Sequence, residues 1–227
     1  MTMKFGILVN PVSGMRGSVD ILNSIIPQFQ SAGASTFVIE TEYSGHAKEL
    51  AATLDIDEYD ALIVLGGDGT INEAINGLMM SHQPQNIPLG IIPIGSGNAF
   101  AETLGELDPI KMLSNILTGE TSLIDVFKID DREKTFFAIN IIGWGMAAEV
   151  NILAEKLRWM GGIRYSVASL ITVMRMKEKY LKANLDDSSI EDQALFFLAL
   201  NNVHTGKGMQ MAPNAILDDG LIDIILV

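Results

Sequence analysis

The stretch Gly66-Gly67-Asp68-Gly69-Thr70 gathers residue types that can do chemistry. It follows the apolar run "ALIVL" and leads straight into "INEAINGL", so it reads as a buried strand whose glycine end feeds a helix N-terminus. Backbone N–H groups there lack helical partners and suit an anion. An aspartate inside such a nest would repel a phosphate, so Asp68 calls for a metal ion beside it or a role as proton acceptor. Thr70 and Glu73 also fit a capping box. Small and polar residues recur in "NPVSGMRGS", with Ser13, Gly14 and the cation Arg16, in "TEYSGHA", and in "PIGSGNAFAETLG", where Ser96 and Gly97 lead into Asn98 and Ala99. Neither GxxxxGK[ST] nor a strand-placed GxGxxG occurs, which argues against a P-loop and a dinucleotide fingerprint.

Composition narrows the chemistry further. The 227 residues include no cysteine, which excludes disulfides, thiolate metal sites and cysteine nucleophiles. His46, His82 and His204 are the only histidines and none falls in HExxH spacing, so carboxylates and hydroxyls must carry any reaction. A net charge of −13 disfavours nucleic acid as a partner. The best local basic segment is "EKLRWMGGIR", where Lys156, Arg158 and Arg164 surround Trp159. No apolar run approaches a bilayer span and the first residues lack a cleavable signal pattern, so a cytoplasmic address is expected.

The elements that must position these loops alternate in the first half. "KFGILVN", "STFVIET", "ALIVLGG" and "PLGIIPIG" read as strands, with helical patterns at "SVDILNSIIPQFQSAG", "GHAKELAATL" and "TINEAINGLMM". Single helices between strands imply a doubly wound parallel α/β sheet, with ligands beyond the carboxyl ends of its strands. The four polar loops fall at those ends. From about Thr121 the pattern changes to strand-like runs, "SLIDVFKID", "TFFAINIIGWG", "YLKANLDD", "DQALFFLALNN" and "LIDIILV", around one helical region from roughly Ala147 to Lys177. Residues 1–120 are therefore expected to form an α/β domain with its ligand site at that rim, and 121–227 a second, β-rich domain. Because "DIILV" is an apolar strand with no polar tail, this second domain is expected to be incomplete at residue 227.

Taken in order, "NPVSG", "TEYSGHA", "GGDGTINEAINGL", "PIGSGNAFA" and "MAPNAILDDGLIDI" resemble the diacylglycerol kinase catalytic-domain family over essentially the whole chain. That family includes bacterial diacylglycerol kinases and the sphingosine and ceramide kinases, and is related in fold to NAD kinases and 6-phosphofructokinases. The resemblance implies ATP in an interdomain cleft, contacted by Asn10, Pro11, Ser13, Gly14, Thr41, Gly67, Gly69, Thr70, Glu73 and Ser96. It implies Mg²⁺ near Asp68, joined by Asp125 through water, with Asp68 as the base candidate. The segment "WGMAAEVNILAEKLRWMGGIRYS" is similar to a sphingosine-kinase stretch, which would make Glu149 the headgroup acid and Lys156, Arg158 and Arg164 phosphate contacts; a solvated helix face is the alternative. Met146, Trp159, Met160 and Met174 would line an apolar groove for acyl chains, or belong to the core. "ILDDGLIDI" resembles the family's structural Mg²⁺ loop, with Asp219 as side-chain ligand and Ile216 and Leu221 giving carbonyls; an Asp-Gly hairpin turn competes with it.

Two departures stand out. Many bacterial diacylglycerol kinases carry an aspartate after the asparagine of the fourth loop, where this chain has Ala99, and the family's usual later Asp-Gly-Glu segment is absent. The expected activity is transfer of the γ-phosphoryl of Mg-ATP to a hydroxyl of diacylglycerol or a sphingoid lipid at a membrane surface, by a peripheral protein for which a homodimer is left open. The alternatives are an NAD kinase-like enzyme and a truncated remnant that binds nucleotide or lipid without turnover.

Overall fold

Unbroken apolar runs give the central strands two buried faces. A computed structural model describes residues 2–11, 17–81, 87–95, 97–157, 159–160, 164–175, 177–206 and 209–227. Its first part runs β1 (Lys4–Val9), α1 (Gly17–Ser31), β2 (Ser35–Glu40), α2 (His46–Thr53), β3 (Ala61–Gly66), α3 (Asp68–Met80), β4 (Leu89–Pro93), α4 (Ala99–Thr103), α5 (Pro109–Thr118), β5 (Phe127–Asp131) and β6 (Lys134–Ala138). The four strands β2-β1-β3-β4 form one parallel sheet. Phe5, Ile7, Val9, Ile63 and Leu65 pack with Leu22, Ile25 and Phe29 of α1 and Leu113 of α5. Leu8, Leu62 and Val64 pack on the opposite side with Ala47 and Ala51 of α2 and Ile71, Ala74 and Ile75 of α3. Each fully buried large side chain contributes roughly 1.5–3 kcal/mol. The reversal of direction at β1 goes with a change of face, as a single crossover hand requires.

Close approach between α2 and α3 needs a residue without a side chain. A Cβ on Gly77 would lie 2.3 Å from the Lys48 carbonyl oxygen. One residue earlier, the buried Asn76 donates to the Phe137 carbonyl at 2.7 Å and accepts from the Phe137 N–H at 2.8 Å. That pair of bonds pins β6 to the helix that begins at Asp68. Helix α5 is missing from the alternation read from the sequence, although Asp108 accepts from the N–H groups of Ile110 and Lys111, Pro109 follows, and Gly119 ends the helix at φ 75°.

The chain divides into two compact units, residues 1–140 with 202–220, and residues 141–201 with 221–227. The boundary expected after residue 120 falls in the connection between α5 and β5. The second unit contains β7 (Ile141–Gly145), α6 (Met146–Lys156), α7 (Arg164–Met174), β8 (Lys179–Leu185), β9 (Ser188–Ala194) and β10 (Phe196–Leu200). After β11 (His204–Gly206) and β12 (Met209–Gln210) of the first unit, β13 (Asp223–Leu226) returns to the second. Strands β13, β10 and β7 form an antiparallel sheet, and β8 pairs with β9 as a hairpin. The single run "TFFAINIIGWG" is thus two strands in different units, parted at 139–140, and the single helical region is two helices.

Candidate active site

The chain leaves β1 toward β2 on one side and β3 toward β4 on the other, so the crevice of this sheet lies beyond the ends of β1 and β3. Backbone bonds hold that rim in register: Thr41 N–H to Val9 O at 2.9 Å, Asn10 N–H to Leu65 O at 3.3 Å, and Ile94 N–H to Gly66 O at 3.1 Å. Asn10 Nδ2 reaches Thr70 Oγ1 at 3.5 Å, and Thr41 is buried beside the end of β1. Pro11 follows Asn10 at the edge of the described segment. Ser13, Gly14, Arg16, Ser96 and Arg158 lie outside the described residues.

The helix after β3 starts earlier than the capping-box reading requires. Gly67 is its N-cap, Ile71 N–H bonds to Gly67 O at 3.1 Å, and Thr70 already stands in the first turn. Glu73 instead accepts from the Gly45 N–H at 2.9 Å, tying α3 to the loop before α2. The early start is possible because two glycines touch: a Cβ on Gly95 would sit 2.5 Å from the Gly67 Cα, and one on Gly67 2.9 Å from the Gly95 Cα. Asn98 closes the fourth loop, its Oδ1 accepting from Gly95 N–H at 2.8 Å and its Nδ2 donating to Gly95 O at 2.9 Å. The space where a Cβ on Gly69 would stand is open.

Asp68 spends its carboxylate on the neighbouring helix α4 rather than on its own helix. Its Oδ2 accepts from Ala99 N–H at 3.0 Å, and its Oδ1 accepts from Phe100 N–H at 3.0 Å and from Asn140 Nδ2 at 3.4 Å. Asn202 Nδ2 in turn donates to Asn140 Oδ1 at 2.9 Å. A carboxylate offers about four acceptor positions, so Oδ2 keeps one among the described contacts. Asn140 and Asn202 are absent from the sequence-based candidates, because an asparagine at a strand end carries no spacing signature. His46 Nδ1 accepts from Glu42 N–H and His204 lies between Thr103 and Gln210; no described bond joins either to Asp68.

The remaining candidates gather elsewhere. Asp125 precedes β5, and its Oδ2 accepts from Gly220 N–H at 2.7 Å. It therefore stands by the turn at 217–220 that carries Asp219, with Ile216 just before it, while Leu221 opens the last segment of the second unit. Among the described residues no three of His, Asp and Glu cluster as a metal site. In the second unit Glu149 accepts from Lys179 Nζ, and Arg164 lies 4.0 Å from Glu155. Glu149, Thr172 and Arg175 line both of two cavities of about 110 and 200 Å³; Met146 lines the smaller and Lys156 the larger. Trp159 and Met174 are 81% and 80% exposed, so neither is core.

The first unit's groups suit a magnesium-bound triphosphate. The N–H groups of residues 68–70 precede the first intrahelical bond of α3, and the Thr70 hydroxyl and Asn10 amide stand beside them. Asp68 places a carboxylate at the same end, which suits a phosphate only with a cation between them.

Residues 4–129 match the diacylglycerol kinase catalytic domain, and residues 140–227 match the YegS C-terminal NAD kinase beta sandwich-like domain. The chain is 32% identical over 231 residues to the diacylglycerol kinase of Staphylococcus epidermidis (strain ATCC 12228 / FDA PCI 1200), covering 100% of this chain and 71% of that protein. It is 30% identical over 186 residues to sphingosine kinase 1 of Arabidopsis thaliana, covering 77% of this chain but only 38% of the relative's length. A crystal structure of a diacylglycerol kinase from Bacillus anthracis str. Sterne superposes with a TM-score of 0.77 at 29% identity, over 99% of this chain and 73% of that one. A parallel sheet flanked by helices, an antiparallel β-rich region and matches that run through both place the chain in the diacylglycerol kinase catalytic-domain family.

Proposed function

We propose that this chain is the catalytic part of a lipid kinase that transfers the γ-phosphoryl of Mg-ATP to a hydroxyl of diacylglycerol or a sphingoid lipid. The observation that carries the reading is the position of Asp68: it lies at the switch point of a parallel sheet, at a helix N-terminus, with one acceptor position of Oδ2 unspent among the described contacts. When bound, ATP supplies the phosphoryl group, and magnesium offsets its charge and that of Asp68. Asn10, Thr41, Thr70 and the N–H groups at the start of α3 hold the phosphates, with Pro11, Gly67, Gly69 and Glu73 shaping the same rim. Residues 13, 14 and 96 extend it by family resemblance. Asp68 Oδ2 would take the proton of the acceptor hydroxyl as that oxygen bonds the γ-phosphorus and the bond from the γ-phosphorus to the bridging oxygen breaks, releasing ADP, while the Ala99 and Phe100 N–H groups steady the carboxylate. By family resemblance Asp219, with the Ile216 and Leu221 carbonyls, belongs to a structural magnesium loop; Asp125, expected in the Asp68 magnesium network, instead bonds the Gly220 N–H of the turn that carries Asp219.

The lipid is assigned to the second unit, and by resemblance to the sphingosine kinases Glu149 is the headgroup acid and Lys156, Arg158 and Arg164 are phosphate contacts. Helices α6 and α7 expose Ile152, Leu170, Val173 and Met174, and Trp159 in the segment between them is exposed as well, a set of residue types that suits the interfacial layer of a bilayer. No described helix is long and apolar enough to cross a membrane. The test is phosphate transfer from labelled ATP to diacylglycerol, sphingosine and NAD in parallel. Labelled lipid is expected. Labelled NAD alone would overturn the lipid assignment, and ATP binding without turnover would leave a binding remnant.

A further inference from the structure

Asn202 is fully buried, and its Oδ1 has no hydrogen-bond partner among the described residues. Its Nδ2 donates to Asn140 Oδ1 at 2.9 Å, and Asn140 Nδ2 donates to Asp68 Oδ1 at 3.4 Å. The far end dictates the direction of this row. An ionised carboxylate only accepts, so Asn140 turns its NH₂ to Asp68 and its oxygen to Asn202, and Asn202 must donate. The Asn202 oxygen is then left over, and a buried acceptor without a protein partner works against folding. Packing gives no reason to keep an amide there, since leucine has nearly its shape and no polar atom. The amide does one thing that leucine does not: it orients Asn140.

The three residues come from distant parts of the sequence. Asp68 opens α3, Asn140 follows β6, and Asn202 follows β10. The bonds of Asn76 to Phe137 fix β6 on α3 and so bring Asn140 to the start of that helix. We propose that Asn140 and Asn202 are positioning residues for the reaction. With the Phe100 N–H, the Asn140 amide fills both acceptor positions of Oδ1, so that the position left among the described contacts is the one on Oδ2 not taken by Ala99 N–H, and it is offered to the acceptor hydroxyl. Without Asn140 an acceptor position opens on Oδ1 as well, and the carboxylate no longer presents a single atom. The kinetic consequence rests on the kinase reading; the structural one does not.

The test compares wild type with Asn202→Leu and Asn140→Ala in the whole chain. It reads initial rates with Mg-ATP and the lipid that wild type phosphorylates, thermal unfolding, and the ¹³C resonance of the Asp68 carboxyl. In both variants kcat is expected to fall about 10- to 100-fold, the range for groups that orient a reacting residue, while KM for ATP holds. Asn202→Leu should unfold at the same or a higher temperature, because it removes the orphan oxygen and the half-buried Asn140 can turn to water. The Asp68 resonance should move in both variants. Loss of Tm with an unchanged kcat would overturn the proposal, as would an unmoved Asp68 resonance. A wild-type chain that phosphorylates no lipid refutes the kinase reading instead, and the resonance still decides the row of amides.

Discussion

At the scale of residues, Asp68 joins two tasks: it caps α4 and keeps one acceptor position of Oδ2 unspent among the described contacts. Asp68→Asn should therefore reduce turnover by about 10²- to 10⁴-fold, the usual share of a positioned proton acceptor. It also gives up one of two backbone bonds at α4, costing about 1 kcal/mol in urea unfolding. Equal turnover in the two proteins would remove Asp68 from the chemistry. A second residue-scale test concerns the β8–β9 hairpin. The Tyr180 hydroxyl, then Lys182, hold the Glu191 carboxylate below its usual range, and Glu191 raises Tyr180 in return. A depressed carboxylate stabilises the fold above its unfolded value and loses that contribution as pH falls through the folded value. Tyr180→Phe should move the Glu191 titration, followed by NMR, back toward the ordinary carboxylate value; an unmoved curve would contradict the contact. The glycines around Asp68 made it legible in the sequence. Asn140 and Asn202 were not, because their meaning arises only where strands distant in sequence meet, and the capping box failed because two touching glycines let α3 begin at Asp68.

At the scale of elements, the rim depends on two backbone approaches. Gly77→Ala would drive a methyl into the Lys48 carbonyl, and overpacking of this kind costs about 1–3 kcal/mol, measurable as a lowered Tm. Gly95→Ala meets the Gly67 Cα instead, at the junction of the third and fourth loops. It should weaken ATP binding, read by calorimetry, more than it lowers Tm; unchanged affinity would show that the junction does not shape the phosphate site. The alternation of strands and helices in the first half was readable because β1, β3 and β4 are buried on both faces and bounded by glycine-rich ends. The break at Asn140 was not, since apolar residues flank it on both sides and periodicity carries no mark of a change of unit.

At the scale of the molecule, a net charge of −13 coexists with a cationic lining of Lys156, Arg175, Lys177 and Lys179 around the cavities of the second unit. If α6 and α7 meet a bilayer, the emission of Trp159 should shift to the blue when vesicles are added, and a Trp159→Phe variant should lose that shift. Emission that vesicles leave unchanged would contradict the membrane-facing role. The parallel sheet, the separate antiparallel region and the family were all legible in the sequence, because each rests on local periodicity or on contiguous motifs. The discontinuous make-up of each unit was not, because a strand order is a property of the folded chain. The central claim meets its most direct test in the rate of labelled phosphate transfer from Mg-ATP to diacylglycerol and sphingosine, wild type against Asp68→Asn at equal folded concentration. The prediction is labelled lipid from wild type and at least about 100-fold less from the variant. Equal labelling by the two proteins, or label on NAD alone, would contradict it.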